Sequence, residues 1–172
     1  MANPEKTAKE TLETAGVTEA PVNVELVAEK MGCKVMFQTL KSDLSGLLVN
    51  KPGNCLIGVN SNQSKTRQRF TIAHELGHLV LQHKGDMFVD GTVLRRDENS
   101  GRAIDPQEIA ANQFAAALLM PSDWVYEKLA ENRKQSPNGS AEEMTTALAA
   151  QFEVSPQAMG IRLANLGCLI PD

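Results

Sequence analysis

The chain reads as an α+β protein: a mostly helical single domain with a small, mainly antiparallel sheet packed on one central helix. Three observations predict this. Three short apolar stretches cluster within residues 33–60, around a Pro-Gly turn. Helix punctuation, with Asp-Pro, Ser-Pro, Ser-x-x-Glu and terminal Gly, fills most of the remainder. Between these regions lies residues 65–83, a proline-free stretch with apolar residues at helical spacing.

At 172 residues the chain has the length of one domain, with enough chain for a core and apolar residues at 42%. The net charge of −4 and a pI near 5.4 argue against non-specific binding to nucleic acid or to an anionic membrane. The longest apolar run, 114–120, is too short to span a bilayer. Residues 1–16 are polar and lack the apolar segment of a signal peptide. The expected setting is soluble and cytoplasmic. Cys33, Cys55 and Cys168 are odd in number and widely spaced, and read as ordinary thiols.

In chain order, residues 4–16 form a first helix, stopped by Gly16. Pro21 and Asn23 open a second over 24–31, with Gly32 at its stop. Residues 33–40 alternate as a strand, and 46–50 and 55–60 are two more. Lys51-Pro52-Gly53-Asn54 between them fits a type II turn. The sheet covers the following helix, and an exposed edge could also pair with an extended peptide. Ser64 is the N-cap of helix 65–83, whose residues Ile72, Leu76, Leu79 and Val80 define one buried face.

Residues 84–104 are polar and glycine-bearing, with room for a short strand over 85–93. A loop of this length is expected at the rim of a cleft. Asp105 and Pro106 then open a helix to about 120, rich in alanine and suited to close packing. Ser122 or Asp123 caps a helix over 124–132. Ser140 and Glu143 form a capping box for 141–152, and Ser155-Pro156 starts the last helix, closed by Gly167.

The chemistry is concentrated in His74-Glu75-Leu76-Gly77-His78. On a helix, residues four apart share a face, so both imidazoles can reach one metal ion. Glu75 lies about 100° around from His74, beside the metal rather than on it, where it can act as base toward a water. A catalytic zinc site needs a third protein ligand. No histidine follows His83, which at five residues past His78 points about 140° away on a continued helix. A carboxylate is the better choice. Glu108, in the first turn of the next long helix, is the leading candidate, ahead of Asp105, Asp86 and Asp90. Asn112, one turn later, can hydrogen-bond the far ring nitrogen of a ligand histidine. Zinc is the metal this donor set favours, with manganese or iron as alternatives.

Arg69-Phe70-Thr71-Ile72-Ala73-His74-Glu75-Leu76-Gly77-His78, then Glu108-x-x-Ala111-Asn112-x-Phe114-Ala115 and Leu118-Leu119-Met120-Pro121, resemble the ImmA/IrrE family of metallo-endopeptidases. The resemblance covers about residues 22–166. It implies a zincin-like, gluzincin type of fold holding one zinc ion. It also implies ligands at His74, His78 and Glu108, and a catalytic base at Glu75. It implies site-specific cleavage of a helix-turn-helix (XRE-type) transcriptional repressor, in mobile elements, prophages or stress responses. Unlike the better-known members, no large sensor region follows the core here, so dependence on a partner or constitutive action is expected. For the oxyanion of such a reaction, Tyr126, His83 and Arg69 are candidate donors.

Two other readings compete. A catalytically silent zinc-binding module for protein interaction in transcriptional regulation would not need Glu75. A DNA-binding module is suggested by the helix-turn-helix rhythm of 148–166. Yet Arg162 is the only Lys or Arg between 141 and 172, too little charge for phosphate contacts, so no direct nucleic-acid binding is expected.

Overall fold

The turn at Pro52-Gly53 sets the register of the sheet. Gly53 adopts φ +74°, a conformation open to glycine without steric cost. The computed structural model describes residues 2–41, 43–83, 87–91 (backbone only) and 105–168. Strands β2 (Leu44–Lys51) and β3 (Asn54–Asn60) flank the turn and pair antiparallel, with Lys51 opposite Asn54. Strand β4 (Met87–Gly91) adds antiparallel to the other edge of β2. Strand β1 (Cys33–Gln38) adds to β3, but parallel, giving the order β1-β3-β2-β4. The sheet is thus mixed, with two antiparallel pairings and one parallel among the described strands.

The parallel register places Cys33 opposite Cys55, and the two sulfurs meet as a disulfide. The reading of both as ordinary thiols is corrected: their partnership depends on a strand order that spacing along the chain does not show. Cys168 is free.

Seven helices accompany the sheet among the described residues. Helices α1 (Pro4–Ala15) and α2 (Val24–Lys30) precede it, with Asn3 and Asn23 as side-chain N-caps. Helix α3 (Lys65–Val80) starts at Ser64, whose hydroxyl accepts the amide of Arg67. The amide group of Gln68 donates to the carbonyls of Ser61 and Gln63 and ties the β3–α3 connection down. Every residue from Thr71 to His78 is buried, so this part of α3 is enclosed on all sides rather than on one face. The single apolar face expected from spacing is too narrow because the sheet covers one side of α3 and α4 (Pro106–Leu119) the other.

Asp105 caps α4 with Pro106 in its first turn, and α1 packs along α4. Helix α5 spans Ser122–Gln135. Its N-cap is Pro121 and no side chain caps it, so the expected Ser122 or Asp123 cap does not form. Helix α6 (Ala141–Phe152) begins with the full Ser140–Glu143 capping box, and α7 (Pro156–Asn165) begins at Ser155. Of the polar connection 84–104, only the backbone of β4 is described; the expected rim position of the rest, and the Asp86 and Asp90 side chains, lie outside the described residues.

Arg162 of α7 is buried and reaches two distant elements. Its Nε donates to Met120 O at the end of α4 (2.9 Å), and its terminal nitrogens donate to both carboxylate oxygens of Glu5 in α1. The one cation of the last helix pair is therefore structural. Replacing Arg162 by Met should destabilise the protein by about 1.5–3 kcal/mol, since it removes charged hydrogen bonds and leaves the Met120 carbonyl without that donor. Urea denaturation measures this. Glu5→Gln should cost less, because the Glu5 side chain stays 46% exposed.

Candidate metal centre

Two helices must approach closely before their side chains can share an ion, and a glycine permits it. A Cβ added at Gly77 would lie 3.0 Å from Ala111 Cα and 3.1 Å from its carbonyl oxygen. Gly77 of α3 thus rests directly on the backbone of α4. This contact brings the first turn of α4, with Glu108, beside His74 and His78. Glycine has a second role at Gly46 of β2, where a Cβ would fall 2.3 Å from Thr71 Cγ2 and 3.7 Å from Glu75 Oε1. The sheet therefore leaves room for Glu75, which is fully buried on the β2 side of α3.

The Nε2 atoms of His74 and His78 stand 3.1 Å apart. Glu108 Oε2 is 3.3 Å from His74 Nε2, and Glu108 Oε1 is 3.3 Å from His78 Nε2. Ligands about 2.0–2.1 Å from one small ion at a tetrahedral angle stand about 3.3–3.4 Å from each other. One ligand atom from each of the three groups lies within 4.8 Å of the others, near that spacing, and together they could hold a metal. Hydrogen bonds from the two imidazoles hold the Glu108 carboxyl well below the usual carboxylate range. The Glu108 side chain is 38% exposed, whereas both imidazoles are nearly fully buried, so the site opens to solvent on the α4 side.

The far ring nitrogens are also engaged. His74 Nδ1 meets Asn112 Oδ1 at 3.0 Å, with Asn112 one turn after Glu108 on the same face of α4. His78 Nδ1 meets His83 Nδ1 at 3.0 Å. The expectation that His83 points elsewhere is corrected. Helix α3 ends at Val80, and Gln82 turns left-handed at φ 55°. The amide of Gln82 donates to Leu79 O and that of His83 to His78 O, the paired bonds of a Schellman closure. The chain folds back instead of advancing, and His83 lands on His78. Burial, then the neighbouring His78 ring, pushes the His83 imidazole below its ordinary value.

The other candidate donors are engaged elsewhere. Arg69 donates to the carbonyls of Phe152 and Glu153 and pairs with the Glu153 carboxylate, so it fastens the end of α6. Tyr126 donates to Leu166 O beyond the end of α7. Asp105 serves as the α4 cap. A groove of about 540 Å³ runs from Asn112 and Phe70 past Ala116 to Ala158 and Ile161 of α7. The Phe70 ring stacks toward His74, at 6.4 Å between centroids, so the groove adjoins the metal centre.

An enclosed H-E-x-x-H helix with a carboxylate from the next helix is an arrangement found in metallopeptidases. The chain belongs to the peptidase family of the IrrE N-terminal-like domain, whose sequence profile matches residues 28–164. It is 36% identical over 104 residues to the radiation response metalloprotease IrrE of Deinococcus radiodurans, covering 60% of this chain and 29% of that protein. The IrrE of Deinococcus deserti is 35% identical over 115 residues, covering 66% of this chain and 37% of that protein. An uncharacterized immunity region protein 2 of Bacillus phage phi105 is 30% identical over 99 residues, 58% of each chain. The chain thus spans well under half of the Deinococcus relatives. A Mycobacterium tuberculosis transcriptional regulator shares the fold, with a TM-score of 0.60 at 16% identity over 95% of this chain and 47% of that one.

Gly77→Ala should separate α3 from α4 by a few tenths of an ångström. We expect a loss of about 1–3 kcal/mol of stability, as for overpacking elsewhere, despite the better helix propensity of alanine. Metal affinity measured by chelator competition should fall with it.

Proposed function

We propose that this protein is a zinc-dependent endopeptidase that cuts a protein substrate at one site, the substrate being a helix-turn-helix transcriptional repressor. The observation that carries the reading is the convergence of His74, His78 and Glu108 at 3.1–3.3 Å, with Glu75 on the intervening turn of the same helix. Family membership supports peptide-bond hydrolysis, and the Deinococcus relatives are named metalloproteases. The phage relative is named for an immunity region, which supports a substrate among regulators of gene expression. Such a substrate places the reaction in the cytoplasm. No described helix is long and apolar enough to cross a membrane.

His74, His78 and Glu108 would hold the ion. When bound, zinc supplies Lewis acidity to the scissile carbonyl and acidifies water. Glu75 takes a proton from the attacking water as the new C–O bond forms. It then delivers that proton to the amine nitrogen as the C–N bond breaks. Such acid–base work is typically worth about 10²–10⁴ in rate. Asn112 fixes the His74 ring, and the groove beside Phe70 offers room for residues flanking the cut.

The test pairs metal content with cleavage of a co-encoded repressor. Wild type and Glu75→Gln should each bind about one zinc per chain, with cleavage at least about 10²-fold slower in the variant. Zinc bound by both with no repressor cut by either would favour the interaction-module reading. For the ligands, His74→Ala and Glu108→Ala should lose zinc. In the wild type, chelation should stop cleavage and added zinc should restore it.

A further inference from the structure

We propose that His83 is a positioning residue for the metal site: its Nδ1 accepts the Nδ1–H of His78 and so presents the His78 Nε2 lone pair to the ion. The inference rests on the reading of His74, His78 and Glu108 as ligands. A neutral imidazole carries one N–H. A histidine that binds metal through Nε2 must hold its proton on Nδ1, and an acceptor there fixes both tautomer and ring plane. For His74 that acceptor is Asn112 Oδ1, at 3.0 Å. For His78 it is His83 Nδ1, also at 3.0 Å, with the two rings edge to face at 76°. The two ligand histidines are thus oriented from opposite sources, one from α4 and one from the end of α3 itself.

The backbone is shaped to deliver that acceptor. On a continued helix His83 would lie about 140° from His78. The Schellman closure returns it, and the closure places Gln82 at φ 55°, where a residue with a side chain is strained and glycine is the usual occupant. Gln82 itself is exposed, so the contact that the turn secures is the one made by the next residue. His83 also sits at the open end of α3, where the chain leaves the helix, so its ring shields the Nδ1 side of His78.

The experiment measures Zn²⁺ affinity of the full chain by chelator competition, for wild type, His83→Phe and His83→Asn. Phenylalanine keeps a ring but has no acceptor, whereas asparagine places Oδ1 where Nδ1 stood. His83→Phe should bind Zn²⁺ at least about tenfold more weakly, as for other lost partners of ligand histidines, and His83→Asn should recover most of the loss. Thermal unfolding of the metal-free proteins should be nearly the same for all three. If metal-free His83→Phe melts well below wild type, His83→Ala replaces it in the comparison. Wild-type affinity in the acceptor-free variant overturns the proposal. Equal weakening in the asparagine and acceptor-free variants overturns it too, since restoring an acceptor would then recover nothing. Failure of the wild type itself to bind Zn²⁺ removes the ligand assignment and this inference together. Normal Zn²⁺ binding without proteolysis faults only the peptidase reading.

Discussion

The contact of Gly77 with the backbone of Ala111 is the constraint on which the rest of the structure depends. Two helices at this distance have no room for a side chain between them, and neither partner supplies more than a methyl group. Everything polar at the centre follows from that approach. Glu108 and Asn112 project from successive turns of α4 onto His78 and His74, while the sheet encloses α3 from the other side. The arrangement places His74, Glu75 and His78 in the interior, where polar groups need partners. On the proposed assignment, a cation held by His74, His78 and Glu108 would couple metal loading to folding stability.

What could be read from the residues was local. The H-E-x-x-H spacing, the Asp105-Pro106 helix start, the Ser140–Glu143 capping box and the Pro52-Gly53 turn each act within about one turn of chain, and each is found where the spacing predicts. What could not be read depends on partners far apart or on an atypical residue in a standard motif. Cys33 and Cys55 meet only because β1 adds to β3 in parallel. Residues 71–78 of helix α3 are buried on all sides only because other elements cover both of its flanks. The return of His83 was hidden because the left-handed closing position holds Gln82 instead of glycine, and glycine is the signal that marks such a closure.

Two arginines of the kinds that serve catalysis or nucleic-acid binding hold helix ends here instead. Arg69 donates to the final carbonyls of α6, and Arg162 to Met120 at the close of α4. Both sit where a helix dipole favours positive charge, and both satisfy carbonyls that lack an intrahelical partner. The last helix pair, which has the rhythm of a DNA-binding motif, accordingly turns its single cation inward. Through that cation it fastens the end of α4, the helix that carries Glu108.

The Arg162–Glu5 pair joins residues 157 positions apart, and it bears on the order of assembly. Contacts of large sequence separation pay the greatest loop-closure entropy and are expected late in folding. Helix α4 can pack on α3 as soon as both exist, but its far end is fastened only when the last helix and the first turn of the chain meet. Interactions formed after the rate-limiting step act mainly on the rate of unfolding. The bridge between the chain's two ends is therefore placed to set how long the folded state lasts, more than how quickly it forms.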